Sequence, residues 1–242
     1  MGVMTGPQLW LFRQWASPEV IARLERCLDS EERMRADRFV FPHLRVHYVV
    51  AHAVLRCVLG QHLGRPPASL TWQSGPQGKP RLSDDPLEFN LSHANGWGML
   101  AVGSHRRLGV DIDAVRPARV SPNLIDTVTS APEKTEFAKR TPAEQAMAFY
   151  RLWVRKEAVI KAMGTGLSRS LSTIDVPIGI EAPRDAIVLR PELPNGRRLC
   201  LWDVPAPTGM LAALVVEHEA DEDPSPPHVP TVLTQTQIDA LV

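Results

Sequence analysis

Two short stretches of this 242-residue chain carry side chains that could do chemistry together. Gly109-Val110-Asp111-Ile112-Asp113 reads as the end of a strand, and strand residues two apart project from one face, so Asp111 and Asp113 are delivered side by side. Trp153-Val154-Arg155-Lys156-Glu157-Ala158-Val159-Ile160-Lys161 reads as a helix, and Glu157 and Lys161, four apart, share a face of it. Three carboxylates make an all-oxygen site suited to Mg²⁺, with Mn²⁺ as the alternative; such ions take hard ligands and leave places for water and substrate phosphate. A lysine one turn beyond Glu157 can hold a phosphate as a point charge. The chemistry is Mg²⁺-dependent transfer of a phosphate-bearing group. Each half alone is weak. Asp-x-Asp also marks nucleotide-sugar transferases, and a helical Glu–Lys pair is usually a surface contact of about 0.3–0.5 kcal/mol.

These residues need elements to position them. Gln8 to Trp15 reads as an opening strand. Ser17-Pro18 starts a helix, with Ser17 as N-cap and Pro18 at its first position. A second helical start at Ser30 leads to Arg35 and Arg38. His43 to Leu63 is a long amphipathic helix, with Leu44, Tyr48, Ala51, Leu55 and Leu59 at helical spacing. Strands are expected from Leu70, at Phe89 to Ser92, at Trp97 to Val102 and at Leu108 to Ile112. Thr141-Pro142-Ala143-Glu144 is a capping box that opens a second long helix, ended by Gly164. Strands follow at Ile174 to Ile178, Ala186 to Arg190, Arg198 to Val204 and Met210 to Glu217. The element order implies an α+β fold of two similar halves, each a long helix packed on a small, mainly antiparallel sheet. The divisions are 1–106, 107–220 and a tail from 221 to 242, its acidic, proline-rich start being loose.

Composition narrows the setting. Hydrophobic residues make up 44%, enough for a core, and 27 basic residues balance 27 acidic ones, which does not suggest a nucleic-acid surface. The cysteines, Cys27, Cys57 and Cys200, are odd in number and widely spaced, which fits reduced thiols in the cytoplasm. No segment has the apolar length of a membrane span, and the N-terminus lacks a signal-peptide pattern.

Taken in order, the blocks resemble the 4′-phosphopantetheinyl transferases. The Asp111–Asp113 run and the Trp153–Leu167 stretch look like that family's signature pair. Gly78-Lys79-Pro80, Phe89-Asn90-Leu91-Ser92-His93, and Arg38-Phe39 with Leu55-Arg56 support it. The length and paired halves resemble the monomeric, pseudo-twofold Sfp-type group. The resemblance implies an enzyme that moves the phosphopantetheine arm of coenzyme A to a serine of an acyl, peptidyl or polyketide carrier domain, leaving adenosine 3′,5′-bisphosphate. Asp111, Asp113 and Glu157 would hold the metal. Lys161 would meet the coenzyme A phosphates, Ser92 and His93 the pyrophosphate and 3′-phosphate region, and Lys79 and Arg35 the nucleotide end, with Arg38, Arg56 and Asp111 also in contact with coenzyme A. Glu133, at the family's helix-start glutamate, or a water on the cation would take the serine proton. Asp113 stands where many members have Glu. Glu32 stands where a base is usual, with Arg33 or Arg45 as its substitutes. The carrier is expected to dock around residues 114–140, where Leu124, Ile125 and Val128 lie. The alternatives are a catalytically degenerate relative that binds coenzyme A or a carrier, and the Asp-x-Asp nucleotide-sugar transferase.

Overall fold

A computed structural model describes every residue except 1–5, 76–77, 84, 86, 167–169, 179–186, 190–192, 194–195, 223, 225–226 and 242. The chain runs β1 (Gln8–Arg13), α1 (Pro18–Leu24), α2 (Ser30–Asp37), α3 (Pro42–Leu63), β2 (Trp72–Ser74), β3 (Pro80–Leu82), β4 (Leu87–Ala94) and β5 (Trp97–Ser104). A second series follows: β6 (Leu108–Ala114), α4 (Pro122–Val128), α5 (Ala131–Ala138), α6 (Pro142–Met163), β7 (Ile187–Val188), β8 (Arg198–Val204) and β9 (Met210–His218). β10 (Thr231–Leu233) and α7 (Gln235–Asp239) close it.

The second series repeats the first. In each, a strand is followed by two short helices, one 22-residue helix and a hairpin, and the opening strand pairs antiparallel with the hairpin's last strand. The sheet orders are accordingly β10-β1-β5-β4 and β6-β9-β8-β7. Both long helices have a proline in their first turn and end at a left-handed glycine, Gly64 at φ 63° and Gly164 at φ 64°. Only a residue without Cβ takes that conformation cheaply, so local sequence fixes both ends. The expected α+β pair of halves is the observed fold.

Three apolar layers hold it. Phe12, Val54, Val58 and Leu100 join α3 to the first sheet, and Leu152, Val159, Leu201 and Val215 join α6 to the second. Between the sheets lie Leu9, Leu11 and Met99 from one, and Val110, Ile112, Trp202 and Leu214 from the other. β6 therefore alternates, sending Val110 and Ile112 to the sheet interface and its odd-numbered residues toward α6. At Gly109 an added Cβ would stand 2.2 Å from the Ala158 carbonyl oxygen, so α6 rides directly on this strand. That close approach sets the helix over Asp111.

Two expectations are corrected. The stretch read as a tail is not loose throughout: β10 pairs in parallel with β1, and Ile238 is buried in the first half's core. Ile174 to Ile178 forms no strand, because Ile174 and Val176 turn into the second core after a 3₁₀ turn at Leu171–Thr173. Val128 is wholly buried, and Leu124 and Ile125 are partly buried against that same core. The strand expected at Ala186 to Arg190 is the two-residue β7, its end positions and Leu167 lying outside the described residues. Among the described residues the three cysteines are free and buried, and no helix is long and apolar enough to cross a membrane.

Candidate active site

The two sheets meet where β4 runs against β6, and side chains replace a backbone ladder there. Asn90 accepts from the Val110 N–H at 2.8 Å and Ser92 from the Ile112 N–H at 3.4 Å. Asn90 and Ser92 are two apart on β4 and so share a face. Ser92 Oγ also donates to Asp111 Oδ1 at 2.7 Å, and Lys161 Nζ reaches Asp111 Oδ1 at 2.6 Å, Ser92 Oγ at 2.9 Å and the Val110 carbonyl at 3.3 Å. One strand from each half and one helix thus converge on a single buried carboxylate. Asn90 was missed by sequence reasoning, although its spacing from Ser92 was visible.

Burial pushes the Asp111 carboxyl above its ordinary range, against the pull of Lys161 and Ser92. Burial, and then the charge of Asp111, push Glu157 up as well, and its Oε1 is buried with no hydrogen-bond partner among the described residues. A desolvated carboxylate pair with an unused acceptor is a site short of positive charge, which fits a divalent cation. Asp113 lies near enough for its charge to help raise the Asp111 carboxyl. Its Oδ1 accepts the Ala114 N–H at 2.7 Å and lies 3.5 Å from Arg116. Among the described residues no three His, Cys, Asp or Glu side chains form a ready metal cluster. Of the expected trio, the charge of Asp111 acts on Glu157 and that of Asp113 acts on Asp111.

Around this centre run connected clefts. One of about 250 Å³ is lined by Lys79, Asn90, Glu157, Ile160 and Lys161. Through Gly78 and Pro80 it shares a wall with a larger cleft of about 930 Å³ that holds Arg35, Arg38, Phe39, Tyr48 and Trp72. Arg35 lies over the Tyr48 ring with its carbon 5.7 Å from the centroid. A third, of about 560 Å³, holds His43, His47 and His93 and shares Phe39, Tyr48 and His52 with the large one. Lys79 Nζ donates to the Leu108 carbonyl at 2.8 Å, and burial lowers its pKa. Burial and then the Lys161 charge lower that of His93, leaving it a neutral imidazole at pH 7.

Two expected site residues belong elsewhere. Arg56 is fully buried, paired with Glu32 and Asp29, and it donates to the carbonyls of Pro67 at 2.9 Å and Leu70 at 3.0 Å. Four of its five N–H donors are taken inside this brace, away from solvent. Glu32 stands at the usual basic position because it serves this brace; burial raises its carboxyl, but His52 and Arg56 outweigh that and hold it below the ordinary value. Arg45, one suggested substitute, is occupied by Glu25 at 2.6 Å and Asp37 at 3.1 Å. Glu133 is buried too. It accepts from the Ser130 and Val176 N–H groups, each at 2.8 Å, and pairs with buried Lys156, so it is spent on structure and is not free to take a serine proton.

Comparison with known sequences identifies this arrangement. The 4′-phosphopantetheinyl transferase superfamily matches residues 107–193, and the N-terminal part of a 4′-phosphopantetheinyl transferase matches residues 13–105. The chain is 33% identical to the 4′-phosphopantetheinyl transferase HetI of Nostoc over 64% of this chain and 67% of that one. The chain belongs to the 4′-phosphopantetheinyl transferase superfamily. It is also 29% identical to a putative 4′-phosphopantetheinyl transferase of Synechocystis over 69% of each chain. To the 4′-phosphopantetheinyl transferase Sfp of Bacillus subtilis it is 30% identical, over 63% of this chain and 73% of that one. These relatives make the chain a transferase of Sfp type.

Proposed function

We propose that this transferase takes the 4′-phosphopantetheine arm from coenzyme A, with Mg²⁺ bound, and places it on a serine of an acyl, peptidyl or polyketide carrier domain. The reading is carried by the buried Ser92–Asp111–Lys161 group and the unpartnered Glu157 oxygen, which share a cleft wall with cationic Lys79, Arg35 and Arg38. The serine oxygen bonds to the β-phosphorus, the bond from that phosphorus to the bridging oxygen breaks, and adenosine 3′,5′-bisphosphate leaves. Bound Mg²⁺ supplies positive charge against the developing phosphate charge, and Asp111 and Glu157 would hold it. Lys161 stabilises the same oxygens from the helix side, and Ser92 and Asp111 fix its ammonium in place. With Glu133 held in its own ion pair, Glu157 or a water on the cation would accept the serine proton. Lys79, Arg35 and Arg38 hold the nucleotide phosphates, and neutral His93 offers them a hydrogen bond. Both cleft walls come from one chain, so the enzyme works as a monomer, and its reduced cysteines suit the cytoplasm.

Intact-mass measurement of an apo-carrier incubated with the protein, coenzyme A and Mg²⁺ tests this. The expected result is a gain of one phosphopantetheine arm, lost with EDTA. No gain on a fatty-acid, a polyketide and a peptide carrier, with coenzyme A still bound, would leave a binding-only relative.

A further inference from the structure

Arg56 and Lys156 each stand fourteen positions beyond the proline in the first turn of their long helix, at 42 and 142. Both are wholly buried. Each meets a glutamate that accepts from the N-cap backbone of the preceding short helix, Glu32 at Asp29 and Glu133 at Ser130. Each also donates at 3.0 Å to a leucine carbonyl in the turn after its helix, Leu70 and Leu171. The duplicated fold has kept one brace twice and changed its cation. The halves differ at the remaining partners: Arg56 also takes the Asp29 carboxylate and the Pro67 carbonyl, whereas the matching N-cap is Ser130, and Lys156 turns to the Val128 carbonyl at 2.7 Å.

The second brace adjoins the carboxylates of the candidate site, whereas Glu32 of the first lines the large cleft. The residue after Lys156 is Glu157, and Lys161 follows one turn later. We propose that Lys156 is a positioning residue: by tying α4, α5 and the Leu171 turn to α6, it fixes the rotation of α6 on β6 and so aims Glu157 and Lys161 at Asp111. At Gly109 the helix and strand backbones touch without intervening side chains, and the Lys156–Glu133 pair restrains α6 from the other side of the helix, beside the Arg155–Asp203 pair. On this account the brace is a geometric device, and a guanidinium brace built as in the first half serves equally well.

The test rests on the transfer reading. Wild-type transfer of the arm to an apo-carrier is measured first, and failure of that reading appears there. With an active wild type, Lys156→Met is expected to lower kcat about a hundredfold with KM for coenzyme A little changed, the signature of misplaced reacting groups. Lys156→Arg with Ser130→Asp rebuilds the first half's brace and is expected to recover most of the lost kcat. Breaking one partner of a buried pair can unfold a protein, so Glu133→Gln with Lys156→Met removes both charges together and tests the same loss in a folded chain. Melting temperature is read throughout. Unchanged kcat in the folded double variant overturns the proposal, as does an Arg/Asp variant that melts like wild type yet stays as slow as Lys156→Met.

Discussion

The two halves share a connectivity, a helix length and a buried brace, yet Asp111 and Glu157 of the candidate site both come from the second. Fifteen positions beyond its opening proline, α3 carries Cys57, buried 3.5 Å from Cys27, while α6 carries Glu157 with an unpartnered oxygen. Four residues on, the pair is exposed Gln61 and Lys161. On the opening strands, Trp10 and Phe12 pack on the first core, whereas Asp111 lies beneath Lys161. A repeated scaffold therefore tolerates opposite polarity at matching positions. In the first half those positions close a core; in the second they face the cleft, where charge meets substrate instead of oil. The first half contributes what the second lacks, namely Ser92 and Asn90 from β4 and the arginines of the large cleft.

The comparison breaks most visibly at Glu157 and Cys57. Asp111→Ala or Glu157→Ala should lower transfer by about 10²–10³-fold without unfolding the protein, since each removes charge stabilisation that acts in the transition state. Cys57→Ala, at the position matching Glu157, should leave kcat unchanged and lower only the melting temperature. Turnover near wild type at saturating Mg²⁺ for either carboxylate variant would remove that residue from the site.

Arg56 sharpens the same contrast in stability. Arg56→Met should cost about 3–5 kcal/mol in denaturant unfolding by stranding Glu32 in the core, while the KM for coenzyme A of the folded fraction stays at the wild-type value. A selective rise in that KM would return Arg56 to the binding surface.

The smallest expected effect is in pH dependence. Asp111 and Glu157 both have carboxyls raised above their ordinary values by burial. A raised carboxyl favours the protonated form in the folded state, so its contribution to stability is present below the unfolded pKa and is lost as pH rises through the folded one. Transfer needs the charged form. The acid limb of kcat/KM should therefore lie above the usual carboxylate range, and over that window the metal-free protein should lose stability as activity appears. Glu157→Gln should remove part of that loss and stabilise the metal-free protein by about 1 kcal/mol at neutral pH, read by thermal melts in EDTA. A melting temperature that falls instead would mean the carboxylate is well paired in the apo protein.

Much of this molecule is legible in one dimension because it is decided locally. Thr141, Pro142, Glu144 and Gly164 mark both ends of α6 through hydrogen bonds and φ preferences within a few residues. Asp111 and Ser92 were legible for the same reason, as side chains at fixed parity on short strands. The spacing of 153–161 likewise presents Glu157 and Lys161 together. What the sequence could not decide is which long charged side chains leave the solvent. Arg56 and Glu133 look like surface or catalytic groups until α2, α5 and the turns after the long helices close over them. The fate of Thr231–Leu233, which cross to β1, is likewise set by partners far away in the chain. Caps, periodicity and parity act over a few residues and are written in the sequence; burial of charge depends on what packs against it, and only the tertiary structure decides that.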